Sequence, residues 1–287
     1  MAVTMGRQKS WEWKVVADVF LGGTGSGAYV AGFLLEKAWG NTPLTDAVSL
    51  LGPMLVALGM LVLLLEVGRP LNAFRAFLNA RTSWMARGVV FQPLFVGLGI
   101  IYGVAGILVE GFKTSGLGIA LGSLAAALAL IVAAYHGLLY SRAKAIPLWS
   151  NPQIPVLFFV SAMAGGASAG LVLAAFFATS TLQLTGLAVA ELALLVLTLI
   201  SIWALTSASP NAAYRASVSS MANAAFWALV VGIGGVLPIG ILLASLMTGN
   251  IPPGLMALAG VCVLAGTYYL RHAVTAAGQY YSLQVAF

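Results

Sequence analysis

Charge is what this chain has least of. Asp, Glu, Lys and Arg make up 7% of its 287 residues, against roughly a quarter in ordinary soluble domains. That shortage excludes a large water-soluble domain, and nothing in it resembles a nucleic-acid-binding surface. Cysteine is nearly absent too: Cys262 is the only one. The chain alone therefore cannot form a disulfide, a zinc site or a cysteine-ligated iron–sulfur cluster. Histidine occurs twice, at His136 and His272. No stretch reads as a cleavable signal peptide, because the first apolar run is interrupted by Asp18 and several glycines.

What is present is apolar. Hydrophobic residues are 61% of the chain and the mean hydropathy is +1.02. Crossing the hydrocarbon core takes about 20 apolar residues, which leaves room for about eight spans. They are expected at Val15–Leu35, Ala47–Val67, Gly88–Val109, Leu117–Tyr140, Ile154–Ala178, Leu184–Leu205, Ala224–Met247 and Gly254–Leu270. Turn residues such as Asn41-Thr42-Pro43, Gly68-Arg69-Pro70 and Asn151-Pro152 separate them. The fold class predicted is an all-α integral membrane protein.

An even number of spans places both termini on one face, side A. Side A collects Arg7, Lys9, Lys14, Arg69, Arg75, Arg81, Arg87, Arg142, Lys144, Arg215 and Arg271; side B has only Lys37 and Lys113. The positive-inside rule then puts side A in the cytoplasm; docking of a partner on basic loops is the competing cause. A shift of 142 residues lays Gly23-Thr24-Gly25-Ser26-Gly27-Ala28 on Gly165-Gly166-Ala167-Ser168-Ala169-Gly170. Small residues at this spacing suit close helix packing. The repeat predicts two parallel-oriented four-helix bundles, residues 1–143 and 144–287.

Ionisable groups at membrane depth are costly and mark function by default. Asp18 lies about one turn into the first span, Glu66 closes the second, and Tyr135 and His136 fall in the last turns of the fourth. All belong to the side A end of the first half. Arg69 follows Glu66 closely enough to set its charge. Glu191, in the sixth span, and Glu110, on side B, are the weaker candidates for a proton route. An acid, an acid–arginine pair and a Tyr-His pair suit a quinone, whose carbonyls need hydrogen-bond donors and whose reduction takes up two protons. Two rivals stay open on the residues alone. His136 and His272 could be axial ligands in a cytochrome b-type haem anchor, for which a Soret band is diagnostic. A secondary transporter of two repeats could use breaks at Pro238 and the glycine-rich spans.

Specific motifs narrow the choice. Glu66-Val67-Gly68-Arg69-Pro70, followed by Thr82-Ser83-Trp84-Met85-Ala86-Arg87-Gly88, resembles the NrfD/polysulfide-reductase membrane-subunit family. Pro147-Leu148-Trp149-Ser150-Asn151-Pro152 with Phe158-Phe159-Val160-Ser161-Ala162 resembles the entry to that family's second half, and Phe20-Leu21-Gly22-Gly23 its first helix. The resemblance implies a quinone-reactive anchor without bound haem or iron–sulfur cluster, in a prokaryotic inner membrane, with menaquinone or ubiquinone as substrate. It also implies a ferredoxin-like iron–sulfur subunit and a catalytic, often molybdopterin-containing, subunit as partners. Carried over residue by residue, Glu66 matches the family's acid, Asp18 the polar residue of the first helix, and Tyr135 the tyrosine of the fourth. Many members dock their catalytic subunit outside the cytoplasm, whereas the charge bias here points the pocket inward. The second half carries Val160 and Ala208 where the first has Asp18 and Glu66, so the first is expected to work and the second to support.

Overall fold

The computed structural model describes residues 4–8, 11–65, 84–177, 179–208, 210–250 and 252–282. Nine helices run through the described residues: α1 (Trp13–Trp39), α2 (Pro43–Leu64), α3 (Trp84–Leu108), α4 (Gly116–Ser141), α5 (Gln153–Leu173), α6 (Thr181–Ser207), the short α7 (Ala212–Met221), α8 (Ala224–Thr248) and α9 (Pro253–Ala276). Helix starts follow local chemistry. Thr42, Ser115, Ser180, Asn211 and Asn223 each accept a backbone N–H from the first turn they precede, satisfying donors that would otherwise be orphaned. Thr45 completes a capping box at α2.

Seven of these helices are long and apolar enough to cross a membrane: α2, α3, α4, α5, α6, α8 and α9. The protein is a multi-pass membrane protein. Large apolar side chains such as Leu58, Leu61, Ile101, Leu124, Leu197, Ile200 and Val261 point outward, which a lipid solvent favours and water does not. α1 falls short of the other seven in hydropathy because Asp18 and the run from Gly22 to Gly27 dilute it, yet it has 27 residues and lies innermost, packed against α2, α4, α5 and α9.

Contacts close two rings. α1 meets α2, α2 meets α3, α3 meets α4, and α4 returns to α1; α5, α6, α8 and α9 repeat the pattern. The rings join where the two small-residue runs lie on one another. A Cβ at Gly27 would collide with the Ala162 carbonyl, and one at Gly166 with the backbone of Gly27. The runs aligned by the 142-residue shift are thus mutual packing partners, as small-residue helix faces in membranes tend to be.

Three features differ from the sequence expectation. Residues 212–221, expected as loop, form α7, an amphipathic segment capped by Asn211. β1 (Thr4–Arg7) and β2 (Gln279–Ser282) pair antiparallel and tie the two ends of the chain together on side A. Arg271 is not a side A surface charge. It is 1% exposed inside α9, where Nε donates to the Val19 carbonyl at 3.1 Å and the guanidinium faces the Phe158 ring. Its place just past the expected end of the eighth span concealed that α9 continues to Ala276, and it drops out of the positive-inside count.

Candidate functional site

The side A end of the first ring gathers polar groups from three helices. Asp18 projects from α1 a little more than one turn after Trp13, at a point where α2 offers only Gly59. His136 comes from α4, just over one turn before Ser141. It can reach α1 because Gly22 has no side chain: a Cβ there would lie 2.6 Å from the imidazole Cε1. His136 Nε2 sits 3.6 Å from Asp18 Oδ2, with the two residues 2% and 5% exposed. From α3, Gln92 brings its amide nitrogen to 3.2 Å from the same Nε2.

Tyr135 flanks this group. Its ring meets that of His136 edge-on at 5.2 Å. Its hydroxyl donates to the Met85 carbonyl at 3.3 Å, passing over Gly88, where any Cβ would strike the phenol. Below, Trp84 is covered by the Arg87 and Arg142 guanidiniums, at 4.5 and 4.9 Å from its ring, an arrangement with cation–π stabilisation. A largely apolar groove of 440 Å³ opens beside it between α3 and α4, lined by Trp84, Arg87, Phe91, Ile131 and Leu138.

The group is short of partners. Asp18 Oδ1 and His136 Nδ1 are buried and have no hydrogen-bond partner among the described residues. Leaving such atoms unpaired costs about 1–3 kcal/mol each, so a protein that keeps them holds a place for a polar ligand or water. The atoms on offer comprise a carboxylate, an imidazole, an amide and, one residue away, a phenol. Together they can donate to a carbonyl, accept from a hydroxyl, and take or give protons.

The structure brings Asp18, Tyr135 and His136 together at one end of the first four helices. Glu66 and Arg69 lie outside the described residues. Glu191 is fully buried on α6 and accepts from Ser168 Oγ of α5 at 2.8 Å; Glu110 is exposed in the turn after α3. His272 is exposed and stacks on Tyr269, unlike buried His136. No group of three or more His, Cys, Asp and Glu among the described residues could hold a metal ion. Gln92 was missed by sequence reasoning, since a neutral amide leaves no mark in a search for charge; its only signal was being the one Gln within the third span.

A second polar cluster closes the side B end of the same four helices. Lys113, 4% exposed, pairs with Glu36 at 3.0 Å and with Asp46. Tyr102 donates to Glu36 at 2.6 Å, and Lys37 pairs with the same carboxylate at 2.8 Å.

Comparison with known proteins finds relatives along nearly the whole chain. The sequence profile of the family described as polysulphide reductase, NrfD, matches residues 2–282. The C subunit of polysulfide reductase from Wolinella succinogenes is 27% identical over 300 residues, covering 94% of both proteins. Protein NrfD of Escherichia coli is 26% identical over 192 residues, covering 56% of this chain and 58% of its own.

Proposed function

The chain belongs to the NrfD, polysulphide reductase, family, and from that premise we propose that it is the quinone-reactive membrane subunit of a multisubunit redox complex. The observation that carries the reading is the buried meeting of Asp18, Gln92 and His136, with Asp18 Oδ1 and His136 Nδ1 lacking hydrogen-bond partners among the described residues. Quinone reduction consumes two electrons and two protons; quinol oxidation returns them. Electrons pass to or from a docked iron–sulfur subunit, itself joined to a catalytic subunit, and this chain handles the protons. His136 and Tyr135 orient the head group, and Asp18 and Glu66 exchange protons with water on side A, with Arg69 holding Glu66 ionised. The quinone is menaquinone or ubiquinone.

The same reading gives α1 as an eighth crossing, since 27 helical residues extend about 40 Å. The chain then comprises two four-helix halves, 1–143 and 144–287, with the second as scaffold, both termini cytoplasmic and the partner on side A. A weaker proton route through Glu191 and Glu110 belongs to the same reading.

The test is quinone-linked turnover of the purified complex carrying His136→Gln or Glu66→Gln. Loss of quinone-linked turnover with retained turnover of an artificial dye by the catalytic subunit is the expected result. Unchanged quinone turnover in both variants would remove the assignment.

A further inference from the structure

His136 Nε2 has two suitors and Nδ1 has none. Gln92 Nε2 stands 3.2 Å from it and Asp18 Oδ2 3.6 Å, while Nδ1 is buried without a hydrogen-bond partner among the described residues. The two neighbours ask for opposite things. An amide N–H donates, so it needs Nε2 as a bare lone pair and sends the ring proton to Nδ1. A carboxylate accepts, so it draws the proton onto Nε2 and leaves Nδ1 bare. The nearer group has the advantage in hydrogen-bond geometry, which weakens steeply beyond about 3.2 Å.

We propose that Gln92 is a positioning residue that decides which ring nitrogen of His136 carries the proton, and thereby whether Nδ1 meets its ligand as donor or acceptor. The inference rests on the quinone reading above and adds redox-state matching to it. A quinone carbonyl only accepts, and Nδ1–H satisfies it when the Gln92 amide nitrogen faces Nε2. A quinol hydroxyl can donate, and a bare Nδ1 accepts from it once the amide turns over and presents its oxygen to Nε2–H. Glutamine supports both tautomers through one half-turn of its terminal torsion. Asp18 alone supports one.

Burial enforces the coupling. Gln92 is 6% exposed and His136 2%, so bulk water is not there to satisfy Nε2 in place of Gln92. The packing also limits ring movement, because the Cε1 edge of the imidazole rests in the space over Gly22. The ring answers its neighbours by moving a proton between its nitrogens more readily than by turning.

The chain has only two histidines, which makes the test direct. The full-length chain, labelled with ¹⁵N-histidine and placed in lipid nanodiscs, gives two sets of ring resonances, assigned with a His272→Gln variant. The expected spectrum of the parent protein has His136 neutral with the proton on Nδ1. In Gln92→Met, and in Gln92→Leu as a second apolar replacement, the proton shifts to Nε2, facing Asp18. The affinity for a short-chain naphthoquinone, relative to its quinol under anaerobic conditions, falls about tenfold in both variants, the scale of one hydrogen bond. An unchanged tautomer, or an unchanged affinity ratio despite a changed tautomer, overturns the inference. If the parent protein binds neither quinone nor quinol, the quinone reading fails, and with it the redox matching; the spectra then still decide whether Gln92 sets the tautomer.

Discussion

The first four helices hold a polar cluster at each end, and the two are built to opposite plans. At side B two ammoniums, Lys37 and Lys113, meet two carboxylates, Glu36 and Asp46, with Tyr102 and Asn41 filling further valences. Charge is balanced and the groups face one another. At side A, Asp18, Gln92 and His136 also lie within contact distance, but Asp18 Oδ1 and His136 Nδ1 have no hydrogen-bond partner among the described residues. Between the clusters lies an aromatic layer of Tyr29, Phe33, Phe95 and Tyr102, with ring centroids 5.3 to 6.3 Å apart along its contacts. Burial alone does not distinguish a site from a staple. The distinction lies in whether the buried groups satisfy each other.

The comparison predicts that the two ends respond differently to loss of one member. Asp18→Asn is expected to lower quinone-linked turnover of the complex about 10²–10⁴-fold, the usual contribution of a positioned proton-transfer group, without lowering the unfolding temperature of the chain. A stability loss matching the activity loss would place Asp18 with the staples.

Lys113→Met is expected to do the reverse. It takes their shared cation from Glu36 and Asp46 and leaves Glu36 with only the exposed Lys37, and removing one partner of a buried ion pair costs up to about 3–5 kcal/mol. Thermal unfolding in detergent should show this, while the fraction that remains folded turns over quinone at the parent rate. A triple variant that adds Glu36→Gln and Asp46→Asn to Lys113→Met should recover much of the loss. Wild-type stability in Lys113→Met would mean that the side B charges reach water.

Much of this was legible in the order of residues. Asp18, Tyr135 and His136 announced themselves because an ionisable group at membrane depth is expensive enough to need a reason. The α1–α5 crossing was foreshadowed by two aligned small-residue runs, whose meaning is steric and therefore survives translation into sequence. The rest was hidden for identifiable causes. Gln92 carries no charge. Gly22 matters only through what it lets His136 do, which takes two helices to see. Glu36 and Asp46 stand one residue outside the expected spans and Lys113 in the loop between two of them; the burial of Glu36 and Lys113 depends on the turn at Gly111–Ser115, which puts Lys113 where a side chain on Gly106 would be. Arg271 was misplaced for the same reason, since only the tertiary fold decides which side of α9 faces α1.

Packing between the halves gives a smaller effect. Gly27→Ala puts a methyl group against the Ala162 carbonyl at the α1–α5 crossing. Overpacking of this kind costs about 1–3 kcal/mol, readable as a lower unfolding temperature. Because Gly22 and Asp18 lie more than one turn away on α1, quinone affinity should change less than stability. A large change in affinity with stability intact would show that the crossing sets the geometry of the side A cluster.

The smallest effect belongs to Glu191, and it sharpens what an unpartnered atom means. Glu191 resembles Asp18 in having one oxygen, Oε2, without a hydrogen-bond partner among the described residues, but its other oxygen accepts from Ser168. An amide copies a carboxyl group closely in size and shape and can accept the same hydrogen bond. Glu191→Gln should therefore leave both unfolding temperature and quinone turnover within about twofold of the parent, with the Ser168 hydroxyl donating to the amide oxygen. Measuring proton uptake alongside turnover in vesicles makes the comparison decisive. A variant that turns over normally but loses proton uptake from one side would support the proton route proposed through Glu191, and unchanged uptake would leave Glu191 to the packing of the second half.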